Sequence, residues 1–271
     1  MMTEASNIAL SGADLSTRNL STRNLSSRDL PLRVSPPLLA APARTLRTKA
    51  LSASFELLFT RSAERPRVER YIAEQFQAAY GASIQEFMPH LLTMQRQGQL
   101  GAAVGLRVAH HQALFLERYF SSPVEQVIYE ATGQAVNGAP VIEIGNLAGT
   151  RRGSSELLFT ILIATLYQAG FEWLTFTATP AVEKSLRRMG ITLYTLGHAS
   201  SHTLSDTEKS NWGSYYDCQP RIVAGRASSG IVALNNSRPL AALLFQYQDR
   251  INTLATELKV SLSDGQHSFA A

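Results

Sequence analysis

The residues best placed to do chemistry lie between Pro140 and Tyr167, in PVIEIGNLAGTRRGSSELLFTILIATLY. Glu143 stands inside an apolar run, where a carboxylate needs a partner or takes on a raised pKa. In VIEIGN, Ile142 and Ile144 share one face of an extended strand, and Glu143 and Gly145 share the other. A carboxylate so held can act as base for an incoming amine or orient its ammonium. The alternative is an ion pair with an arginine on a neighbouring strand, such as Arg107. Asn146 can offer its amide to a substrate carbonyl or cap the turn that follows. Thr150, Arg151, Arg152, Gly153, Ser154 and Ser155 then lead into a helix. Backbone N–H groups and a positive helix end at such a turn form an anion site. Gly153 permits close backbone approach, and the two arginines can clamp phosphate. An ordinary solvated strand–helix turn is the competing reading.

These residues need a sheet and helices to hold them. Residues 52–60 read as a strand, and 65–81 as a helix ended by Gly81. Two extended runs, 88–95 and 100–110, are joined by RQGQ as a hairpin. Ser122–Pro123 opens a short helix that Gly133 closes. The central strand is 141–149, followed by a helix over 154–169 and a strand over 171–179. Pro180 opens another helix, closed by Gly190, and 191–199 and 221–225 are strands separated by a polar loop. After a Ser/Gly/Asn linker, residues 239–258 carry one apolar stripe at helical spacing. Strands alternating with helices after a first hairpin predict an α/β fold, a mixed central sheet flanked by helices. The expected divisions are a disordered basic tail (1–49), a domain over 50–227, and a linker with an amphipathic helix over 228–271.

Composition narrows the function classes. The net charge of +4 sits in the tail, where 1–49 hold seven basic and three acidic residues; the remaining 18 and 18 balance. A nucleic-acid-binding core is expected to carry its own basic excess, so no nucleic-acid partner is expected. Residues 14–33 repeat every five positions as DLSTR, NLSTR, NLSSR and DLPLR. Four copies are too few to bury a solenoid core, which favours a polar tail. One cysteine, Cys218, fits a reducing compartment, and no apolar run is long enough to span a membrane. With neither the basic nor the apolar region of a signal peptide at the N-terminus, the expected location is cytoplasmic. His110, His111, His198 and His202 lack partners at ligand spacing, so no metal is expected. No nucleophile elbow, Walker motif or dinucleotide fingerprint occurs.

The element order resembles that of GNAT-type acyltransferases. The blocks LFLERYFSSPVEQVI, VIEIGNLAG, FTAT, SLRRMGITLYTLG and WGSYYDCQPRIVAG resemble, over roughly 52–226, the successive blocks of the thermostable hemolysin family. That family is similar in fold to GNAT enzymes and to autoinducer (acyl-homoserine lactone) synthases. The resemblance implies an acyltransferase that moves an acyl group from acyl-CoA or an acyl carrier protein to a small amine such as an amino acid. Glu143 and Asn146 would be catalytic. The backbone at Leu147 and the turn Thr150–Ser155 would hold the donor. Glu117, Tyr119, Thr177, Trp212 and Tyr216 would line the substrate side. A homodimer is a further possible partner state. Two departures matter. Thr150 and Ser155 stand where the phosphate signature has Gln or Arg and Gly or Ala. Asn146 stands where autoinducer synthases have the Arg of Glu-x-x-Arg, so their substrate is not carried over. The competing functions are a hemolysin acting on membranes directly and a non-catalytic module that binds an acyl carrier.

Overall fold

β1 (Ala53–Leu58) largely alternates buried and more exposed side chains, whereas β2 (His90–Arg96) and β3 (Gln99–Val108) carry continuous buried runs that face a core on both sides of the sheet. The computed structural model describes residues 53–109, 113–136, 138, 140–149 and 154–267. The basic tail with its repeat, His110, His111 and the turn residues Thr150, Arg151, Arg152 and Gly153 lie outside them. β2 and β3 form the expected hairpin, turning through Gln97 (φ 54°) and Gly98 (φ 74°). Two successive left-handed residues match the twist of the paired strands.

β4 (Val141–Gly149) and β5 (Trp173–Ala178) follow, then β6 (Tyr194–His198) and β7 (Arg221–Arg226). The seven strands lie in the order β1-β2-β3-β4-β5-β7-β6. All neighbours are antiparallel except β4 and β5, which are parallel and joined by a helical crossover. The last strand in sequence thus enters between β5 and β6.

The helices are α1 (Arg65–Tyr80), α2 (Val124–Thr132), α3 (Ser154–Ala169), α4 (Pro180–Arg188), α5 (Asp206–Trp212), α6 (Ala227–Asn236), α7 (Arg238–Gln246) and α8 (Gln248–His267). On one face of the sheet, Ile142 and Ile144 of β4 meet the apolar side of α3, and Leu234, Leu244, Ile251, Leu254 and Leu258 of α6–α8 join the same core. The opposite face carries two separate clusters. One packs Val68, Ile72 and Phe76 of α1 against Leu58, Leu91, Ala103 and Ala148. The other packs Leu114, Leu116, Val124 and Ile128 against Val141, Trp173, Ile222 and Ala224.

Three sequence expectations are corrected. Residues 227–236 form helix α6 where a Ser/Gly/Asn linker is expected, because Ala227, Gly230 and Leu234 are buried; a Cβ on Gly230 would lie 2.9 Å from Ile163 Cγ2. Packing overrides the poor helix propensity of that segment. The single helix expected over 239–258 is two, α7 and α8, divided at Tyr247. The polar loop after β6 contains α5, opened by a capping box: Ser205 Oγ accepts from Glu208 N, and Ser205 N donates to Glu208 Oε2.

Candidate active site

Pairing between β4 and β5 runs only from Val141 opposite Trp173 to Ile144 opposite Phe176. Beyond it β5 continues with β7 as far as Ala178, while β4 continues with β3 as far as Gly149. The two central strands therefore diverge. A cavity of about 300 Å³ fills the opening and crosses the sheet. On the α3 face it is apolar, lined by Phe159, Leu162, Phe176, Val182, Leu186 and Leu193. On the other face, between the two clusters, it is lined by Arg107, Glu143, Asn146, Tyr119, Glu208 and Tyr216.

Glu143 is 3% exposed and points to the face predicted from the alternation of β4. Its Oε2 accepts the N–H of Phe115 at 2.8 Å, and its Oε1 accepts the N–H of Leu116 at 3.1 Å. These donors open the 3₁₀ turn Phe115–Tyr119, so the carboxylate anchors that turn over the cavity. Arg107 lies directly opposite Glu143 across β3 and β4. Burial pushes the Glu143 carboxyl above the ordinary glutamate range, against the pull of the Phe115 N–H, Arg107 and the Leu116 N–H; Glu117 adds to the rise. The result is a cavity carboxylate with more affinity for a proton than a solvated one.

Asn146 sits at a β-bulge, where Asn146 and Leu147 together oppose Val104. Its φ of 48° is one that Asn adopts more readily than most residues. The side chain is engaged at both ends: Oδ1 accepts the Met88 N–H at 2.8 Å, and Nδ2 donates one hydrogen to Glu86 O at 3.4 Å. Arg65 holds the same segment from the other side, donating to Met88 O at 2.6 Å and Pro89 O at 2.7 Å. Residues 86–89 are thereby strapped over the sheet. The thioether of Met88 drops into a notch made by Gly105 and Gly145, where an added Cβ would come 2.6 Å from Met88 Cβ and 2.4 Å from Met88 Cε respectively. Sequence reasoning missed this strap; Gly105 opposite Gly145 in two strands was the available sign of a close approach.

An aromatic wall lines the polar side. The Trp212 ring lies tilted at 5.1 Å from Tyr215 and edge-on at 6.0 Å from Tyr216, and it reaches Phe76 and Phe115 at 6.2 and 6.1 Å. The hydroxyls of Tyr119 and Tyr216 are 2.6 Å apart. Burial raises both phenols, and for Tyr119 the Tyr216 hydroxyl adds to it, so both are neutral at physiological pH. At the rim, Arg118 pairs with Glu208 at 2.7 Å and lies over the Phe115 ring. Hydrogen bonds from Arg118 and Ser205 hold the Glu208 carboxyl at about 2.

The structure brings Glu143, Asn146, Leu147, Ser155, Tyr119, Thr177, Trp212 and Tyr216 to one cavity. Glu117 is the exception. Its Oε2 accepts from Leu114 N at 2.8 Å and its Oε1 from Val124 N at 3.0 Å, so it ties the 3₁₀ turn to α2 and does not line the cavity. Ser154 begins α3, and Ser155 Oγ is 3.4 Å from where a Gly149 Cβ would stand, so the first turn of α3 abuts the end of β4. Cys218 stands apart from the cavity lining, and burial pushes its thiol up. Among the described residues, no group of three or more His, Cys, Asp and Glu side chains could hold a metal ion, and no helix is long and apolar enough to cross a membrane.

A seven-strand mixed sheet flanked by helices, open between its two parallel central strands, is the α/β arrangement that the element order predicts. The chain belongs to the thermostable hemolysin family, whose sequence profile matches residues 59–231. Similar solved structures include FeeM, an N-acyl amino acid synthase from uncultured soil microbes, at 14% identity over 65% of this chain and 90% of that one, with a TM-score of 0.46. The acyl-homoserine lactone synthase LasI is similar at 12% identity, 65% and 91% coverage and a TM-score of 0.43. MesI, a CoA-dependent acyl-homoserine lactone synthase, is similar at 16% identity, 68% and 94% coverage and a TM-score of 0.38. No curated protein matches the sequence.

Proposed function

We propose that this protein is an acyltransferase that moves an acyl group from a thioester, of coenzyme A or an acyl carrier protein, to a small amine such as an amino acid. One observation carries the reading. The cavity crosses the sheet where β4 and β5 part, apolar on one side and bearing a buried carboxylate and two neutral phenols on the other. The acyl chain lies in the apolar arm between α3, α4 and β5. Its thioester carbonyl rests against the β4 stretch Gly145–Leu147 that β5 leaves unpaired, where a backbone N–H stabilises the developing oxyanion. The donor's phosphates lie toward the turn 150–155 at the start of α3.

The amine arrives from the side of Glu143, Tyr119 and Tyr216. Its nitrogen attacks the thioester carbon, the C–S bond breaks, and an amide forms. Glu143 takes the proton released by the nitrogen, and that proton is returned through solvent to the leaving thiolate, which departs as the thiol. Both substrates held together need no acyl-enzyme, which agrees with the placement of Cys218 away from the cavity.

The test is the purified full chain with acyl thioesters of several lengths and a mixture of amino acids and amines. The expected result is release of free thiol together with N-acyl products detected by mass spectrometry. If no thioester in the panel releases thiol above the protein-free rate, the proposal is wrong.

A further inference from the structure

We propose that Arg107 binds a carboxylate on the acceptor, so that the acceptor is an amino acid and not a simple amine. This deepens the acyltransferase reading and rests on it. Arg107 is half-buried on β3 and lines the cavity on the same side as Glu143. Among the described residues, no hydrogen bond or ion pair reaches its side chain, and its Nε is buried without a partner. Its terminal nitrogens face the cavity with no acceptor among the described residues, so an anion entering the cavity would complete the hydrogen bonding of the fork.

Neighbouring charges make the vacancy specific. Arg226, the other described arginine in the lining, is committed to Glu172 and to Gln134 Oε1. Glu208 is committed to Arg118 and Ser205. Glu143, the carboxylate opposite Arg107, takes two backbone N–H donors and forms no ion pair within 4 Å of Arg107. Directly opposed residues on one face of an antiparallel pair have their Cβ atoms about 4.5–5.5 Å apart. A proton-accepting carboxylate and a guanidinium with no hydrogen-bonded partner among the described residues therefore stand side by side facing one cavity. That is a pair of charges suited to the ammonium and the carboxylate of a single zwitterion. The planar fork of Arg fits a carboxylate with two parallel hydrogen bonds, a geometry that Lys cannot reproduce.

The experiment compares wild type with Arg107→Met, which keeps the apolar stem and removes the charge, and with Arg107→Lys. Two measurements are made on the full chain. In the first, acyl transfer is followed with amino acids and with the corresponding decarboxylated amines. Hydrogen bonds to charged groups contribute about 1.5–3 kcal/mol, about 10- to 150-fold. Wild type is thus expected to prefer the amino acid by that factor in kcat/KM. Arg107→Met is expected to lose the preference through the acceptor KM, with the donor KM unchanged, and Arg107→Lys to restore part of it.

In the second measurement, calorimetric titration compares an N-dodecanoyl amino acid with the matching N-dodecanoyl alkylamine. This binding needs no turnover, so it is informative even if no thioester reacts. Tighter binding of the carboxylate form by wild type, erased in Arg107→Met, supports the inference. Equal binding of the two by wild type overturns it. So does a rise in the donor KM alone, which would assign Arg107 to the phosphates of the donor. Absence of transfer with any acceptor, alongside discrimination in the titration, would instead defeat the acyltransferase reading while leaving a carboxylate site.

Discussion

A methyl group added at Gly105 has nowhere to go. Its position lies 2.6 Å from Met88 Cβ, 2.7 Å from Met88 Cγ and 2.9 Å from Asn146 Oδ1. Met88 Cβ is tied directly to its own backbone, so the clash cannot be relieved by a side-chain rotation. In Gly105→Ala the whole segment 86–89 must lift. That stretches the 2.8 Å bond from Met88 N to Asn146 Oδ1 and strains the Arg65 bonds to Met88 O and Pro89 O. Overpacking of this kind costs about 1–3 kcal/mol, and loss of one hydrogen bond adds about 0.5–1.5 kcal/mol. The loss of chain entropy in the unfolded state returns about 0.4–1 kcal/mol. The net expectation is a destabilisation of about 2–3 kcal/mol, read by urea denaturation. Gly145→Ala is the internal comparison. Its Cβ would meet Met88 Cε at 2.4 Å but Cγ and Sδ only at 3.7 and 3.8 Å. The end of a flexible side chain can swing away, so the expected cost is below about 1 kcal/mol. Met88→Gly, which removes the clashing Cβ, in the Gly105→Ala background should recover part of the loss, a coupling of about 0.5–3 kcal/mol. If Gly105→Ala is within about 0.5 kcal/mol of wild type, or if the two changes are additive, the strap is not seated in the glycine notch as described.

Two further predictions concern buried charge. The Glu143 carboxyl is raised above the ordinary value of 4.5, so its linkage term favours the folded state below that value and is lost as pH rises through the raised pKa. The stability of wild type minus that of Glu143→Gln should therefore fall with pH above 4.5, no more steeply than about 1.4 kcal/mol per pH unit, and then level off; a difference that rises with pH contradicts the assignment. Glu183 of α4 is 2% exposed and held by Arg221 through two bonds of 2.6 and 2.5 Å, with Arg187 at 3.7 Å. Arg221→Met should cost about 3 kcal/mol in chemical denaturation, the low end for a broken buried pair because Arg187 remains. A loss below about 1 kcal/mol would mean that Arg187 alone satisfies the carboxylate.

Much of this arrangement was legible in residue patterns that act locally. The Gly98 turn, the Pro180 start and Gly190 stop of α4, the long apolar helix α3 and the face of Glu143 all follow from short-range rules. What escaped depends on distant partners. Glu143 is held by backbone N–H groups 27 and 28 residues earlier in the chain, and backbone donors leave no mark in a sequence. Ser-Ser-Gly-Ile-Val-Ala-Leu-Asn-Asn reads as a linker until Gly230 is seen against Ile163. The bonds of Glu117 escape for the same reason: nothing in LFLERY distinguishes a carboxylate that faces a substrate from one that ties its own turn to the next helix. The Ser205–Glu208 box, by contrast, was present in the sequence as Ser-x-x-Glu and was passed over.

The C-terminal helices also resolve a hazard at the rim of the sheet. β1 is an outermost strand, and its outward amide and carbonyl groups would otherwise be a template for another chain. Tyr247 places its hydroxyl 3.0 Å from Ala53 N, and Arg250 donates from Nε to Phe55 O at 2.9 Å. Two side chains near the α7–α8 junction thus occupy hydrogen-bonding positions that an eighth strand would claim. Arg250 is in turn steadied by Glu257 at 3.0 Å. The matched family region ends at residue 231, so this guard lies wholly beyond it. A chain cut at that point would lose both its lid over α3 and the safeguard that discourages strand-to-strand association at β1.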